Sequence, residues 1–246
     1  MRIVAIIQAR MASTRLPGKV LAELGGTTML AQVVRRVRAA SRITDVVVAT
    51  SAGTGDDPVA REAARLGAGV HRGPAADVLA RYLGAAEEYR AGIIVRITAD
   101  CPLVDPGVID RVVGALTRDV DYASNTHDRC FPRGLDVEAL HRDTLDRIAR
   151  LGSSPAAREH VTAFVMEQPA LFRIAQVGTE SDDSDLRWTV DTPEDLAMVR
   201  GLYAALGLAD TVVPYREVVA AVRARPELAR ANAHVRQKSW QVGDVA

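Results

Sequence analysis

Arg10, Arg15 and Lys19 place three fixed positive charges within ten residues, interleaved with the hydroxyls of Ser13 and Thr14 and with Gly18. They follow directly on the apolar run Ile3-Val4-Ala5-Ile6-Ile7. A buried strand that opens into such a loop has the composition needed to hold a polyphosphate, with cationic side chains on its oxygens and turn amides beside them. The loop is neither a Walker A motif, G-x-x-x-x-G-K-[ST], nor a dinucleotide fingerprint, G-x-G-x-x-G. Solvated cations around a Pro17-Gly18 turn would have the same composition, so the reading stays open at this point.

Asp100 and Asp191 are the other residues with chemistry to offer. Asp100 follows Ile93-Ile94-Val95-Arg96-Ile97 in the segment Thr98-Ala99-Asp100-Cys101-Pro102-Leu103, and Asp191 follows Arg187-Trp188-Thr189-Val190. Asp191 also stands in a helix start, with Thr192 as cap, Pro193 at the first position and Asp195 completing a capping box. Thr192 can cap alone, which leaves Asp191 for other work. Mg²⁺ prefers one or two carboxylates, several waters and substrate phosphate oxygens, so two aspartates and a triphosphate loop would suit one another in a common cleft.

The chain has 246 residues, 48% of them hydrophobic, which fits one α/β domain with an ample core. Lys plus Arg equals Asp plus Glu at 31 each, so no overall basic field exists to attract nucleic acid or an anionic bilayer. Cys101 and Cys130 are too few for a disulfide framework, lack C-x-x-C spacing and are expected to be packing residues. The apolar opening is too short for a signal peptide or a membrane span, and the expectation is a reduced, cytoplasmic protein.

The elements that must position these residues alternate. After the first strand, Leu30, Val33, Val34 and Val37 recur at helical spacing behind the cap Thr28, and Val46-Val47-Val48-Ala49 reads as a second buried strand. Asp57-Pro58 starts a helix to about Leu66, Gly67 closes it, and Gly69-Val70-His71-Arg72 is a third strand. Asp77 opens a helix to about Tyr89, 93–97 is a fourth strand, and Asp105-Pro106 starts a helix with Ile109, Val112, Val113 and Leu116 on one face. Strands separated by helices of this length pair in parallel, and ligands bind at their carboxyl ends. That rim would receive Arg10, Arg15, Lys19, Arg72 and Asp100.

From about residue 121 the rhythm is less regular. Strands are expected at 122–125, 137–140, 172–177 and 187–190, with helices at 155–166, 193–206 and 215–225. The tail after Pro226 carries no readable signal. The expected organisation is one domain, with a nucleotide-binding half at 1–120, an acceptor and dimerisation half at 121–206, and a C-terminal helix and tail at 207–246.

Three segments together carry a resemblance: Ile7-Gln8-Ala9-Arg10-Met11-Ala12-Ser13-Thr14-Arg15-Leu16-Pro17-Gly18-Lys19, Thr98-Ala99-Asp100-Cys101-Pro102-Leu103, and Trp188-Thr189-Val190-Asp191-Thr192-Pro193-Glu194-Asp195-Leu196. In this order they resemble the cytidylyltransferases that make CMP-activated sugars, in the spore coat polysaccharide branch, related to the acylneuraminate and 3-deoxy-manno-octulosonate enzymes. Arg158-Glu159-His160-Val161-Thr162 is also similar to that branch. The acylneuraminate enzymes proper carry paired glycines in the first loop, a departure that leaves a sialic acid acceptor unassigned.

The resemblance implies a GT-A-like nucleotidyltransferase fold, a mostly parallel three-layer sandwich with a less regular second half, and a homodimer. It implies that Ala9, Arg10, Ser13, Arg15, Lys19, Arg72 and Asp100 bind CTP, with Ala9 and Arg72 beside the base. Asp100 and Asp191 would hold Mg²⁺, and Arg10, Arg15, Lys19 and Asp100 would carry the catalysis. Arg133, Asp136, Arg158 and His160 are the candidates for a sugar-acid acceptor, whose carboxylate suits an arginine fork and whose hydroxyls suit Asp and His. Arg158, Glu159 and His160 are consecutive on a helix, so they cannot all face one way. The rival activities are a GT-A glycosyltransferase consuming a nucleotide sugar, a nucleotidyltransferase using another triphosphate, and a non-enzymatic nucleotide-binding protein. The first would be expected to carry D-x-D, where this chain has Asp100-Cys101-Pro102.

Overall fold

The computed structural model describes residues 1–237, so the last part of the expected C-terminal segment, 238–246, lies outside the described residues. The strands are β1 (Ile3–Gln8), β2 (Glu23–Leu24), β3 (Thr27–Thr28), β4 (Asp45–Ser51), β5 (Gly69–Gly73), β6 (Ile93–Thr98), β7 (Tyr122–Ser124), β8 (Glu138–His141) and β9 (Ile174–Gln176). The helices are α1 (Met29–Arg38), α2 (Asp57–Arg65), α3 (Val78–Glu88), α4 (Pro106–Ala115), α5 (Arg142–Leu151), α6 (Pro155–His160), α7 (Ala163–Glu167), α8 (Pro193–Leu206) and α9 (Tyr215–Ala224). Among the described residues no helix is long and apolar enough to cross a membrane.

Seven strands form one sheet in the order β5-β4-β1-β6-β8-β7-β9, and β2 pairs with β3 in a separate small hairpin. β1 runs parallel to both β4 and β6, while β8 runs antiparallel to β6 and to β7. The sheet is covered on both faces, as the unbroken apolar runs of its central strands require. Successive side chains alternate between the faces. Ala5, Ile7, Val46, Val48, Val95 and Ile97 meet α1, α2, α4, α8 and α9, whereas Val4, Ile6, Val47, Ala49 and Ile94 meet α3, α5, α6 and α7. Each fully buried Val, Leu or Ile contributes about 1.5–3 kcal/mol, so these two layers dominate stability.

Register brings the carboxyl ends of the strands to a common rim. Gln8 lies opposite both Ala49 and Thr98, and Thr50 lies opposite Arg72. Because β8 is reversed, its first residue, Glu138, pairs with Arg96 near the end of β6 and with Ser124 at the end of β7. The 125–137 connection therefore lies on this same rim. Arg96 shares the face of Ile94, and Glu138 receives it there together with the hydroxyls of Tyr122 and Thr162. Burial works against the Arg96 charge, but Glu138 outweighs it and holds the guanidinium's pKa above its ordinary value.

Caps expected from the sequence are formed: Thr28 accepts from Ala31 N at 3.1 Å, Asp77 from Ala80 N at 2.9 Å and Asp105 from Val108 N at 3.0 Å. Asp57 does not cap α2. It lies within the first turn, and Asp56 precedes it with its carboxylate turned to Met11 N at 2.6 Å and to Ser51 N at 3.3 Å.

The second half departs further. The expected helix 155–166 is two helices broken at Val161, whose φ of 58° and ψ of −65° make a tight turn closed by Thr162 N donating to His160 O at 2.6 Å. The helix α5 fills a stretch for which no element was expected. Residues 187–190 form no strand; the segment makes a single parallel bridge, Arg133 to Arg187. Its contacts are Arg133 N to Leu186 O at 2.9 Å and Trp188 N to Arg133 O at 2.6 Å, with the Trp188 ring fully buried.

Gly134 makes that bridge possible. It has a φ of 106°, and an added Cβ would lie 2.6 Å from Thr189 N and 2.7 Å from the Trp188 carbonyl carbon, both rigid backbone. Gly134→Ala is expected to destabilise the protein by about 2 kcal/mol or more, seen in a thermal melt as a Tm lower by roughly 5 °C.

Candidate active site

The first loop turns back on itself after β1. Ala9 N donates to Ala49 O at 3.1 Å, Gly18 N to Met11 O at 2.9 Å and Leu16 N to Ser13 Oγ at 3.4 Å. Gly18 takes a left-handed φ of 72° and hands the chain to a single 3-10 turn, Lys19–Leu21. This turn drives the Lys19 side chain inward until only 9% of the residue is exposed.

The ammonium ends among three oxygens: Asp100 Oδ2 at 2.8 Å, Val190 O at 2.8 Å and Asp191 Oδ1 at 2.9 Å. Asp100 and Asp191 thus meet on one ammonium, and the two segments are linked further by Val190 N donating to Asp100 O at 2.8 Å. Burial opposes the charge on Lys19, but the two carboxylates outweigh it and raise its pKa. Burial likewise opposes ionisation of Asp100, and Lys19 outweighs it, holding the carboxyl below its ordinary value.

Arg15 reaches the same place, with its guanidinium 3.1 Å from Asp191 Oδ2. Arg10 instead pairs with Glu159 on α6 at 3.1 Å. Arg72 is held by Ser51 O at 3.0 Å, Gly53 O at 2.8 Å and Asp57 at 2.7 Å, which ties the ends of β4 and β5 together. The nucleotide candidates thus all lie along the rim, but with carboxylates or carbonyls on their cationic groups.

The acceptor candidates divide. Both oxygens of Asp136 accept from Arg129, at 2.6 and 2.9 Å, and Arg158 pairs with Asp77 at the start of α3. Arg133 has no hydrogen bond or ion pair to its guanidinium among the described residues; burial, then the like charge of Arg129, lowers its pKa. His160 closes α6 and its carbonyl accepts from Thr162 N at 2.6 Å.

A lysine ammonium at this position shows what the surrounding donors can hold. Two carboxylates and a backbone carbonyl, all hard oxygens, face one cation at 2.8–2.9 Å, a donor set that suits Mg²⁺ or Mn²⁺ with water and phosphate completing the shell. Cys101 does not compete, since burial and then Asp100 push its thiol pKa well up and keep it protonated.

Several residues that shape the site were not picked out from the sequence. Asp56 fastens the first loop through Met11 N, Arg129 clamps Asp136, and Arg187 reaches Asp191 Oδ2 at 2.9 Å. Asp195 closes the capping box with Thr192 as expected, and also accepts from Asp191 N at 2.9 Å. The i, i+4 spacing of Arg187 and Asp191 was the one available signal, and an expected strand there hid it.

The cytidylyltransferase family model matches residues 4–210. The spore coat polysaccharide biosynthesis protein SpsF of Bacillus subtilis is 34% identical over 213 residues, 83% of this chain and 88% of that one. The 3-deoxy-manno-octulosonate cytidylyltransferase of Anaeromyxobacter dehalogenans is 33% identical over 241 residues, 82% of this chain and 98% of its own. The structure of a cytidylyltransferase from Leptospira borgpetersenii has a TM-score of 0.89 to this one at 32% identity, covering 97% of this chain and 99% of that chain. Matched from residue 4 to residue 210 and alike in fold along nearly its whole length, the chain belongs to the cytidylyltransferase family of nucleotidyltransferase enzymes.

Proposed function

We propose that this protein transfers CMP from CTP to a hydroxyl of a sugar acid, with release of pyrophosphate, to supply surface polysaccharide synthesis. The observation that carries the reading is the meeting of Lys19 with Asp100 and Asp191 at 2.8 and 2.9 Å, two carboxylates and a cation at the rim where β1 and β6 end. The names of the two curated relatives, one acting on 3-deoxy-manno-octulosonate and one in spore coat polysaccharide synthesis, support the substrate class. In this reading residues 1–120 bind the nucleotide, 121–206 bind the acceptor, and the protein works in the cytoplasm.

The reaction joins an acceptor oxygen to the α-phosphorus of CTP as the bond to the bridging oxygen of pyrophosphate breaks. Asp100 and Asp191 would hold Mg²⁺, which when bound supplies a Lewis acid for the phosphoryl oxygens and lowers the pKa of the attacking hydroxyl. Lys19 and Arg15 leave their carboxylates for the triphosphate and stabilise the charge that grows on the leaving pyrophosphate. Arg10 exchanges Glu159 for the same phosphates. Arg133, whose guanidinium is unengaged among the described residues, takes the acceptor carboxylate, and Arg158 and His160 on α6 flank it. Ser13 and Ala9 shape the loop around the nucleotide, while Arg72 secures the strand ends beside the base.

Pyrophosphate release should require CTP, a divalent cation and a 3-deoxy-ulosonic or related sugar together, in a screen of an acceptor panel against all four nucleoside triphosphates. Asp100→Ala should abolish it. Turnover of a nucleotide sugar without pyrophosphate release would establish a glycosyltransferase instead, and a preference for UTP or GTP would move the base assignment. Lys19→Ala should lower the rate roughly a hundredfold, about 3 kcal/mol of transition-state stabilisation, read as kcat/KM for CTP. The reading also includes a homodimer built through 121–206, supported by the exposed Leu151 and Leu171 in that half; light scattering should give twice the chain mass, and Leu171→Glu should lower it.

A further inference from the structure

The family match ends at residue 210, yet the chain continues through α9 and then a 3-10 run, Pro226–Asn232, which packs on α8. Asn232 at the end of that run is 3% exposed. Its amide nitrogen donates to Asp195 Oδ1 at 2.8 Å and to Arg187 O at 3.0 Å. Neither partner is incidental to the site.

Asp195 is fully buried and gathers donors on both oxygens. Oδ1 accepts from Arg187 Nε at 2.8 Å and from Asn232, and Oδ2 accepts from the Arg187 fork at 2.9 Å, Asp191 N at 2.9 Å and Thr192 N at 3.1 Å. Arg187 uses the same terminal nitrogen to reach Asp191 Oδ2 at 2.9 Å, and its other terminal nitrogen donates to Gln237 at 2.6 Å. Asp191 is thus held at its backbone by Asp195 and at its carboxylate by Arg187. Asp100, by contrast, follows β6 directly, whereas Asp191 follows a segment with one isolated bridge and no strand of its own. A carboxylate on such a segment needs fixing from outside the sheet.

We propose that Asn232 is a positioning residue for Asp191, acting through Asp195 and Arg187, so that the tail beyond the family match sets the geometry of the proposed metal carboxylate. The proposal rests on the metal reading above. Replacing Asn232 removes one donor from Asp195 and one anchor from the Arg187 carbonyl. The fork that Arg187 shares between Asp195 and Asp191 then loses its fixed orientation.

The test compares the full chain with Asn232→Ala and Asn232→Asp, the second nearly isosteric but setting a carboxylate against Asp195. Mn²⁺ affinity is measured by electron paramagnetic resonance without nucleotide, and amide exchange of the 187–195 peptide by mass spectrometry. The expected result is a roughly tenfold weaker Mn²⁺ affinity and faster exchange in that peptide for Asn232→Ala, with a larger loss for Asn232→Asp. Triphosphate binding without metal should stay within twofold of the unmodified protein. Unchanged Mn²⁺ affinity and unchanged exchange in a folded Asn232→Ala would overturn the proposal. So would equal losses in both variants that merely follow a lower Tm. If the unmodified protein binds no Mn²⁺, the metal assignment falls, and the exchange of the 187–195 peptide alone decides whether Asn232 positions Asp191.

Discussion

The ammonium of Lys19 decides how the rest of the site can exist. Without a cation between them, Asp100 and Asp191 would set two negative charges against one another, and at an effective dielectric constant of about 20 two like unit charges about 4 Å apart repel by roughly 4 kcal/mol. Such a pair ionises together only when positive charge stands between or beside it. Lys19 supplies that charge from the loop that follows β1, while Asp100 comes from the end of β6 and Asp191 from the far side of the second half. Three distant parts of the chain are thereby drawn to one point. The ammonium joins the Asp56 and backbone hydrogen bonds that hold the first loop down on the rim.

The other cations of the rim are arranged in graded fashion around this point. Arg15 shares Asp191, Arg10 is lent to Glu159 at α6, and Arg72 is tied to backbone and to Asp57. On the proposed reading, Arg15 and Arg10 exchange these carboxylates for phosphate oxygens, while Arg72 keeps its partners. Asp136 and Arg129 satisfy each other as a bidentate pair, and among the described residues the guanidinium of Arg133 makes no hydrogen bond or ion pair.

Much of this was legible in the chain itself, where periodicity and capping act locally. The strands of the first half and the caps Thr28, Asp77, Asp105 and Thr192 follow from apolar runs and helix starts whose physics involves a few neighbouring residues, whereas the meeting of Asp100 with Asp191 is suggested by the family resemblance. What stayed hidden depends on partners far away in sequence. Residues 187–190 look like a strand because Trp188 and Val190 are buried, but the segment is held by Arg133, Asp195 and Asn232 instead of a ladder. Val161 breaks a helix that its own β-branched side chain does not announce, since the turn is stabilised from outside by Thr162 on Glu138. Asp57 looked like a cap because proline follows it, and the neighbouring Asp56 is taken by the first loop.

The reversed direction of β8 has a consequence for how such an enzyme can change. Because β7 ends and β8 begins at the same edge, the whole 125–137 excursion is a hairpin on the rim, anchored inside by Asn125, whose amide nitrogen donates to Leu135 O at 2.7 Å and whose oxygen accepts from Val137 N at 2.9 Å. Insertions or rewritten side chains in that excursion would remodel this part of the rim while leaving the registers of β1, β4, β5 and β6 untouched. On the proposed reading, the segment that meets the acceptor and the strands that carry the phosphate loop are thereby kept structurally apart, a modularity written into the polarity of a single strand.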